Sequence, residues 1–159
     1  MTQESAAGEN VIDTVTHYQA EEAQLFGDIT VLDDKRGFQG DGFVKVGTEV
    51  GSKLVFNIEV LEAGDYFVTS RYAYGEKCDG EWHSNPTIAV PKRGSMTILV
   101  NGVDCGKSVF DKTNINWESW FYNGNRLALN KGLNEMTFIV NDDDSGNVQI
   151  DYIGVQKMK

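Results

Sequence analysis

The sequence predicts an all-β fold in which two sheets pack face to face. Short runs of alternating apolar and polar residues recur along the chain, and no segment has the longer repeat of an extended helix. Most of the 17 glycines lie between these runs rather than inside them. Several short strands separated by turn residues are typical of a β-sandwich. A chain of 159 residues fits one domain, which buries about 68–70% of its unfolded surface.

The clearest strands are residues 54–60, 66–74, 95–101, 134–141 and 148–155. Apolar and polar residues alternate along each strand, so one face of each strand is expected in the core. The pair Asn101-Gly102 follows the third strand and is the strongest hairpin signal in the chain. The expected core includes Leu54, Phe56, Ile58, Phe67, Ile98, Val100, Trp120, Phe138, Ile150 and Tyr152.

Two segments interrupt the strand pattern. Residues 75–94 form a connection longer than most, and such loops are usually functional or disordered. We expect a binding loop, because Trp82 is a costly residue to leave in a merely flexible segment; a disordered insertion is the alternative. The acidic run 142–147 resembles a calcium loop, but Ile153 stands where an EF-hand requires glutamate. We therefore interpret that run as a solvated turn.

Charge and composition exclude several classes of function. The net charge of −10 argues against binding to nucleic acid and to an anionic membrane surface. No apolar run is long enough to span a membrane. Residues 1–14 are interpreted as a linker or extension and residues 15–159 as the domain. Cys78 and Cys105 lack zinc-ligand spacing, and a disulfide and two unpaired thiols both stay open.

Common catalytic signatures are absent from the sequence, whereas candidate ligand-binding residues are present. There is no nucleophile elbow, metalloprotease helix or phosphate-binding glycine loop. Trp117 and Trp120 are three residues apart, so on an extended strand one would face the core and the other a ligand. The alternative places both in the core.

Three oxygen-bearing side chains near the two ends of the chain suggest a cation site. Gln19 and Glu21 alternate with apolar residues and project from one face, and Asp151 stands among apolar neighbours. A lone carboxylate there is costly unless it is paired or binds a metal. If the first and last strands are adjacent, the three residues supply hard ligands for Ca²⁺. The alternative is polar edge positions that face water.

Eight short motifs resemble, in the same order, the carbohydrate-binding modules of families 35 and 6. They are YQAEEA at 18–23, GFQGDGFV at 37–44, AGDYF at 63–67, SRYA at 70–73, LVNG at 99–102, WESW at 117–120, LNKGLN at 129–134 and IDYI at 150–153. Each motif is weak alone, but their shared order over most of the chain is fairly specific. The resemblance implies a jelly roll of two antiparallel sheets.

The resemblance also implies roles for individual residues. Trp117 corresponds to a stacking platform for sugar and Trp120 to the core. Tyr74 and Gln149 stand where family members place sugar-contacting residues, often asparagines, and Asn147 lies two residues before Gln149. With Trp82, these complete the expected carbohydrate-binding set.

The family's structural calcium site corresponds to Gln19, Glu21 and Asp151, with backbone carbonyls expected from the loop at 37–42. Such a Ca²⁺ would pin the termini, so it belongs to stability rather than to recognition.

The sequence therefore predicts a secreted, noncatalytic carbohydrate-binding module. Its expected partners are a plant cell-wall polysaccharide, first mannan or another neutral β-glycan, and a catalytic domain in the same native chain; a monomer is expected. One alternative binds uronic acids through a second, ligand-bridging calcium. Two others are a small β-sandwich hydrolase or lyase and a structural adhesion module.

Overall fold

The computed structural model describes residues 15–74, 93–113 and 117–158. Its strands are β1 (Thr16–Gln19), β2 (Gln24–Phe26), β3 (Ile29–Leu32), β4 (Phe43–Val46), β5 (Lys53–Val60), β6 (Gly64–Ala73), β7 (Arg93–Val100), β8 (Val103–Asp111), β9 (Phe121–Leu129), β10 (Gly132–Ile139) and β11 (Val148–Lys157). One 3₁₀ turn, Ala20–Glu22, follows β1. Within the described residues, no helix is long and apolar enough to cross a membrane.

The strands form two antiparallel sheets that enclose one core. One sheet has the order β3-β4-β11-β6-β9, with β1 added beside β11, and the other has the order β2-β5-β10-β7-β8. The predicted all-β jelly-roll sandwich is confirmed. The hairpin at Asn101-Gly102 is also confirmed, since both residues have the positive φ (51° and 82°) that a tight turn between β7 and β8 requires.

Most of the predicted core is confirmed, because strand alternation assigns the faces of β5, β7 and β10 correctly, while β11 is buried on both faces. Phe67 is the exception among the strand residues, with 42% of its surface exposed. Tyr66 and Val68 take the inward positions on β6 instead, which turns Phe67 to the outer face of the sheet. There its ring packs over Gly124 of β9, so part of its apolar surface is covered although the side chain lies outside the core.

The first and last strands of the described chain are adjacent, as the cation-site hypothesis requires. β1 pairs antiparallel with β11, with Gln19 opposite Tyr152. The preceding part of β11 pairs with β4, with Gln149 opposite Lys45. A β-bulge on β11 falls between Ile150 and Tyr152, where the pairing with β6 shifts. Asp151 is the extra residue of this bulge, so it lies where β11 changes its neighbour from β4 to β1.

The interpretation of residues 142–147 as a solvated turn is wrong for Asp144. Its side chain is fully buried and accepts hydrogen bonds from Ser95 Oγ and Thr97 Oγ1, each over 2.7 Å, and from Lys107 Nζ over 2.9 Å. The backbone N–H of Asn141 donates to it as well. A carboxylate held by this many donors can stay ionised in the interior, so it fastens the turn to β7 and β8.

Candidate functional site

Gln19 and Glu21 present oxygen atoms to one small space at the end of β1. Among the described residues, Gln19 Oε1 and Glu21 Oε1 are buried without a hydrogen-bond partner. A Cβ atom added to Gly40 would lie 2.7 Å from Glu21 Oε2 and 2.8 Å from Gln19 Oε1. The glycine, with φ of +71°, thus lets its loop close directly over both side chains. Buried oxygens that lack donors are costly for the protein alone and are suited to a hard cation.

Asp151 lies beside these two residues and is held by two donors. Arg71 Nη1 donates to Asp151 Oδ2 over 2.6 Å, and the backbone N–H of Gln39 donates to both carboxylate oxygens over 3.0–3.1 Å. The side chain of Asp151 is fully buried. Burial raises the pKa of Asp151, although the bonds from Arg71 and Gln39 offset part of that effect.

The two carboxylates influence each other. Burial raises the pKa of Glu21 above its ordinary value, and the negative charge of Asp151 adds to the increase, while backbone N–H donors oppose it. The predicted metal ligands are therefore brought together by the fold. Within the described part of the chain, no three His, Cys, Asp or Glu side chains converge. The donor set is thus a carboxamide and two carboxylates, which fits Ca²⁺, whose ligands are oxygens.

Three of the predicted carbohydrate-binding residues form a second cluster. The rings of Tyr74 and Trp117 meet edge to face, with centroids 6.3 Å apart. Gln149 Nε2 donates to Trp117 O over 2.9 Å, which fixes the backbone at that tryptophan. Lys45, opposite Gln149 on β4, holds its Nζ 4.0 Å from the centroid of the Trp117 ring. The cluster combines aromatic surface, an amide and one positive charge.

The exposure of the two tryptophans is the reverse of the expected one. Trp117 is only 6% exposed and belongs to the core cluster, whereas Trp120 is partly buried and packs against that cluster. The strand argument fails because residues 117–120 precede β9 and are not themselves a strand. Trp117 is buried by its contacts with Tyr74 and Lys45. With 6% of its surface exposed, Trp117 does not form the exposed platform that was expected.

The remaining predicted residues divide into two groups. Asn147 has a positive φ of 54°, and its backbone N–H donates to Gly47 O over 2.9 Å, so it shapes the turn before β11. Trp82 and Cys78 lie outside the described residues, as does most of the predicted binding loop; its last two residues, 93 and 94, begin β7. Cys105 is an exposed free thiol.

Sequence reasoning did not identify Lys45 and Arg71 as site residues, although each belongs to one of the two clusters. Both reach their sites through cross-strand neighbours: Lys45 pairs with Gln149, and Arg71 pairs with Tyr152 beside the bulge. The alternation around position 45 and the motif SRYA at 70–73 mark both as strand residues. Neither pattern gives the register that places them, so the sequence offers no direct signal for their partners.

The fold matches a known class of module. The chain aligns with the structure of a family 35 carbohydrate-binding module from Clostridium thermocellum with a TM-score of 0.74 and 25% identity, covering 91% of this chain and 99% of that one. The resemblance to family 35 is thereby confirmed, and the chain has the fold of a family 35 carbohydrate-binding module. The likeness to family 6 stays a prediction.

Two enzymes contain regions similar to this chain. Over 134 residues it is 31% identical to a 1,6-α-glucosyltransferase of Sporosarcina globispora, a match that covers 84% of this chain and 9% of the enzyme. The chain thus spans less than a tenth of that relative. A GH26-CBM35 β-(1,4)-mannanase of Podospora anserina has the same fold, with a TM-score of 0.70, 21% identity and coverage of 92% of this chain and 28% of that one. No protein-family model matches the chain.

Proposed function

We propose that this chain is a noncatalytic carbohydrate-binding module that holds a larger, secreted glycan-processing enzyme on its polysaccharide. The observation that carries the proposal is the family 35 fold, which the chain shares with a solved module at 25% identity over 91% of its length. Tyr74, Trp117 and Gln149 are only 1%, 6% and 2% exposed, so their proposed role is to support the sugar site from beneath rather than to form an open platform. The chain matches only 9% of the glucosyltransferase, as expected if it is one module of a much longer enzyme.

The ligand that we propose first is an α-1,6-linked glucan. The relative at 31% identity is a 1,6-α-glucosyltransferase, and a module that accompanies such an enzyme would hold its substrate or product. β-Mannan, the ligand expected from the sequence, is the second candidate. It is supported by the fold shared with a mannanase, a weaker argument because that identity is 21%.

A uronic-acid ligand bridged by a second calcium is less favoured. The Nζ of Lys45 lies 4.0 Å from the centroid of the Trp117 ring, beside the amide of Gln149. A positive charge at this distance repels a second cation that would have to bind next to the same ring. A neutral glycan meets no such penalty.

We also propose that Gln19, Glu21 and Asp151 hold a structural Ca²⁺. The support is the pair of buried, unpartnered oxygens on Gln19 and Glu21 and the space that Gly40 leaves above them. When bound, the ion would neutralise the two neighbouring carboxylates and join β1 to β11. Backbone carbonyls of the loop at 37–42 would complete its ligands.

The function is tested by affinity electrophoresis on gels that contain dextran, β-mannan or polygalacturonate, each with Ca²⁺ and with EDTA. We expect retention on dextran, and we expect Gln149→Ala to reduce it while Gln24→Ala, a change on the exposed strand β2, leaves it intact. Retention on polygalacturonate alone would favour the uronic-acid alternative. Turnover of any of the three polymers would identify an enzyme, and no retention on a wider glycan array would favour an adhesion module.

A further inference from the structure

Residues 117–120 contact both clusters. At one end, Trp117 O accepts from Gln149 Nε2 over 2.9 Å. At the other end, Trp120 Nε1 donates to Arg36 O over 2.6 Å, and the side chain packs edge-on against Phe43. Glu118, between them, accepts from the backbone N–H of Arg36 over 3.1 Å. Both backbone polar groups of one residue, Arg36, are therefore bonded to this short segment.

Arg36 begins a loop, residues 36–41, that closes over the proposed cation site. Gln39 N–H donates to both oxygens of Asp151, and Asp41 N–H donates to Glu21 Oε2 over 3.1 Å. Arg71 Nη1 donates to Gly37 O over 2.7 Å. The loop thus depends on the carboxylates of Glu21 and Asp151 on one side and holds residues 117–120 on the other.

We propose that Trp120 and Glu118 are positioning residues that couple the cation site to the sugar site. The proposal rests on the proposed function and on the proposed Ca²⁺ site. With the cation bound, the repulsion between Glu21 and Asp151 is neutralised and the loop is held at their carboxylates. Arg36 then presents its carbonyl and N–H to Trp120 and Glu118. These bonds fix the backbone that places Trp117 against Tyr74 and Gln149.

This linkage predicts a reciprocal effect on binding. If Ca²⁺ raises the affinity for glycan by some factor, glycan must raise the affinity for Ca²⁺ by the same factor. In protein that is fully folded both with and without Ca²⁺, this factor contains no contribution from global unfolding. The coupling factor is therefore the quantity that identifies a positioning role.

Two sets of variants separate positioning from packing. Trp120→Phe keeps an aromatic ring beside Phe43 and removes the N–H that bonds Arg36 O. Glu118→Ala removes the acceptor for the Arg36 N–H, whereas Glu118→Gln keeps an acceptor oxygen and should restore the coupling. Tyr66→Phe is a matched control, since it removes another aromatic donor to a carbonyl, the bond from Tyr66 Oη to Glu62 O.

The experiment is isothermal titration of the domain with an α-1,6-linked gluco-oligosaccharide and, in parallel, a β-1,4-linked manno-oligosaccharide, with Ca²⁺ and with EDTA. Ca²⁺ is also titrated directly, with and without the sugar. We expect Ca²⁺ to raise the sugar affinity of the wild type about 5- to 150-fold, the usual range of coupling between sites. The factor should fall to less than about twofold in Trp120→Phe and Glu118→Ala and persist in Glu118→Gln and Tyr66→Phe.

The outcomes distinguish this proposal from the proposed function. Sugar binding that is equally tight with and without Ca²⁺ overturns the coupling and leaves the binding module intact. Full coupling in both Trp120→Phe and Glu118→Ala overturns the assigned roles. If neither sugar binds the wild type and no polysaccharide retains it on the gels, the proposed function fails and the coupling fails with it. Thermal melting of each variant identifies any that do not fold.

Discussion

Arg71 and Asp151 form a buried ion pair at the bulge where β11 changes its neighbour. Arg71 Nη1 lies 2.6 Å from Asp151 Oδ2, and the two side chains are 15% and 0% exposed. The same guanidinium nitrogen donates to Gly37 O, so the pair also holds the loop at 36–41. The bulge places the carboxylate within reach of Arg71, Gln39 and the neighbouring Glu21.

We expect Asp151→Ala to destabilise the domain by about 3–5 kcal/mol, because it leaves the Arg71 guanidinium and the Gln39 N–H without their buried acceptor. Urea unfolding in EDTA measures this cost without any contribution from metal. The matched control is Asp65→Ala, which breaks the exposed pair in which two Arg126 nitrogens donate to Asp65 Oδ2. That pair is expected to contribute about 0–1 kcal/mol. An equal loss of unfolding free energy in the two variants would show that burial does not make the Asp151 pair more important for stability than the exposed pair.

Calcium is expected to raise the melting temperature of the wild type, and EDTA is expected to reverse the increase. A ligand at 100 times its Kd stabilises a folded protein by about 2.7 kcal/mol. Glu21→Gln should remove most of the response, since it takes away one of two carboxylates. Glu22→Gln, a change at the exposed neighbouring residue, should not. Melting curves that do not respond to either reagent would show that Gln19, Glu21 and Asp151 are polar residues without a metal.

The proposed calcium site should also respond to pH in a defined direction. Burial raises the pKa of Glu21 and of Asp151, so in the metal-free protein acid favours the folded state at both positions. This contribution is present below the ordinary carboxyl range and is lost as pH rises through the raised values. Ca²⁺ needs the ionised carboxylates, so its affinity should fall as pH is lowered through that range. Calcium titrations across the carboxyl range check this, and an affinity independent of pH would count against both residues as ligands.

The sequence predicted the fold well because most of its strands have one buried face. Alternation on β5, β7 and β10 leaves little choice of register, since a one-residue shift would expose the whole apolar set. Phe67 was misassigned because Tyr66 and Phe67 are consecutive aromatics, and local alternation does not show which of them faces the core. The outer position of Phe67 depends on Gly124, 57 residues away in sequence, which leaves the space that its ring covers.

The candidate sites were predicted less completely, because they depend on contacts between distant strands. The motifs at residues 18–23 and 150–153 were sufficient to predict that Gln19, Glu21 and Asp151 lie close together. The roles of Arg71 and Lys45 require the pairing of β11 with β6 and β4, which no local pattern specifies. The tryptophan assignment relied on a strand period in a segment that is not a strand.

The burial of Trp117 changes the outcome expected from its removal. Trp117→Ala is expected to cost about 3–5 kcal/mol, the usual range for a buried tryptophan, and to abolish sugar binding together with the local packing. Phe67→Ala, which removes an aromatic from the outer face, is expected to cost only about 1 kcal/mol. Urea unfolding of the two variants makes the comparison. A Trp117→Ala domain as stable as the wild type would restore the interpretation of this residue as an exposed platform.

The buried carboxylate of Asp144 should make the domain sensitive to acid. Burial alone would raise its pKa, but hydrogen bonds from Ser95, Lys107, the Asn141 N–H and Thr97 outweigh that effect and hold the pKa below the ordinary 3.8. A depressed pKa contributes stability that is present above the ordinary value and is lost as pH falls through the folded-state value. Near neutral pH, Asp144→Asn should therefore be less stable than the wild type by about 1–3 kcal/mol, since the donors Ser95, Thr97 and the Asn141 N–H lose a charged acceptor.

The difference between wild type and Asp144→Asn should shrink as the pH falls below about 4, because the wild-type carboxylate then becomes protonated as well. Asp143→Asn is the matched control: Asp143 contacts the same Lys107 Nζ over 2.7 Å, but its side chain is 74% exposed. It should change stability by less than about 1 kcal/mol at any pH. Urea unfolding at a series of pH values measures all three proteins. A difference between wild type and Asp144→Asn that stays constant with pH would mean that the charge of Asp144 does not stabilise the turn.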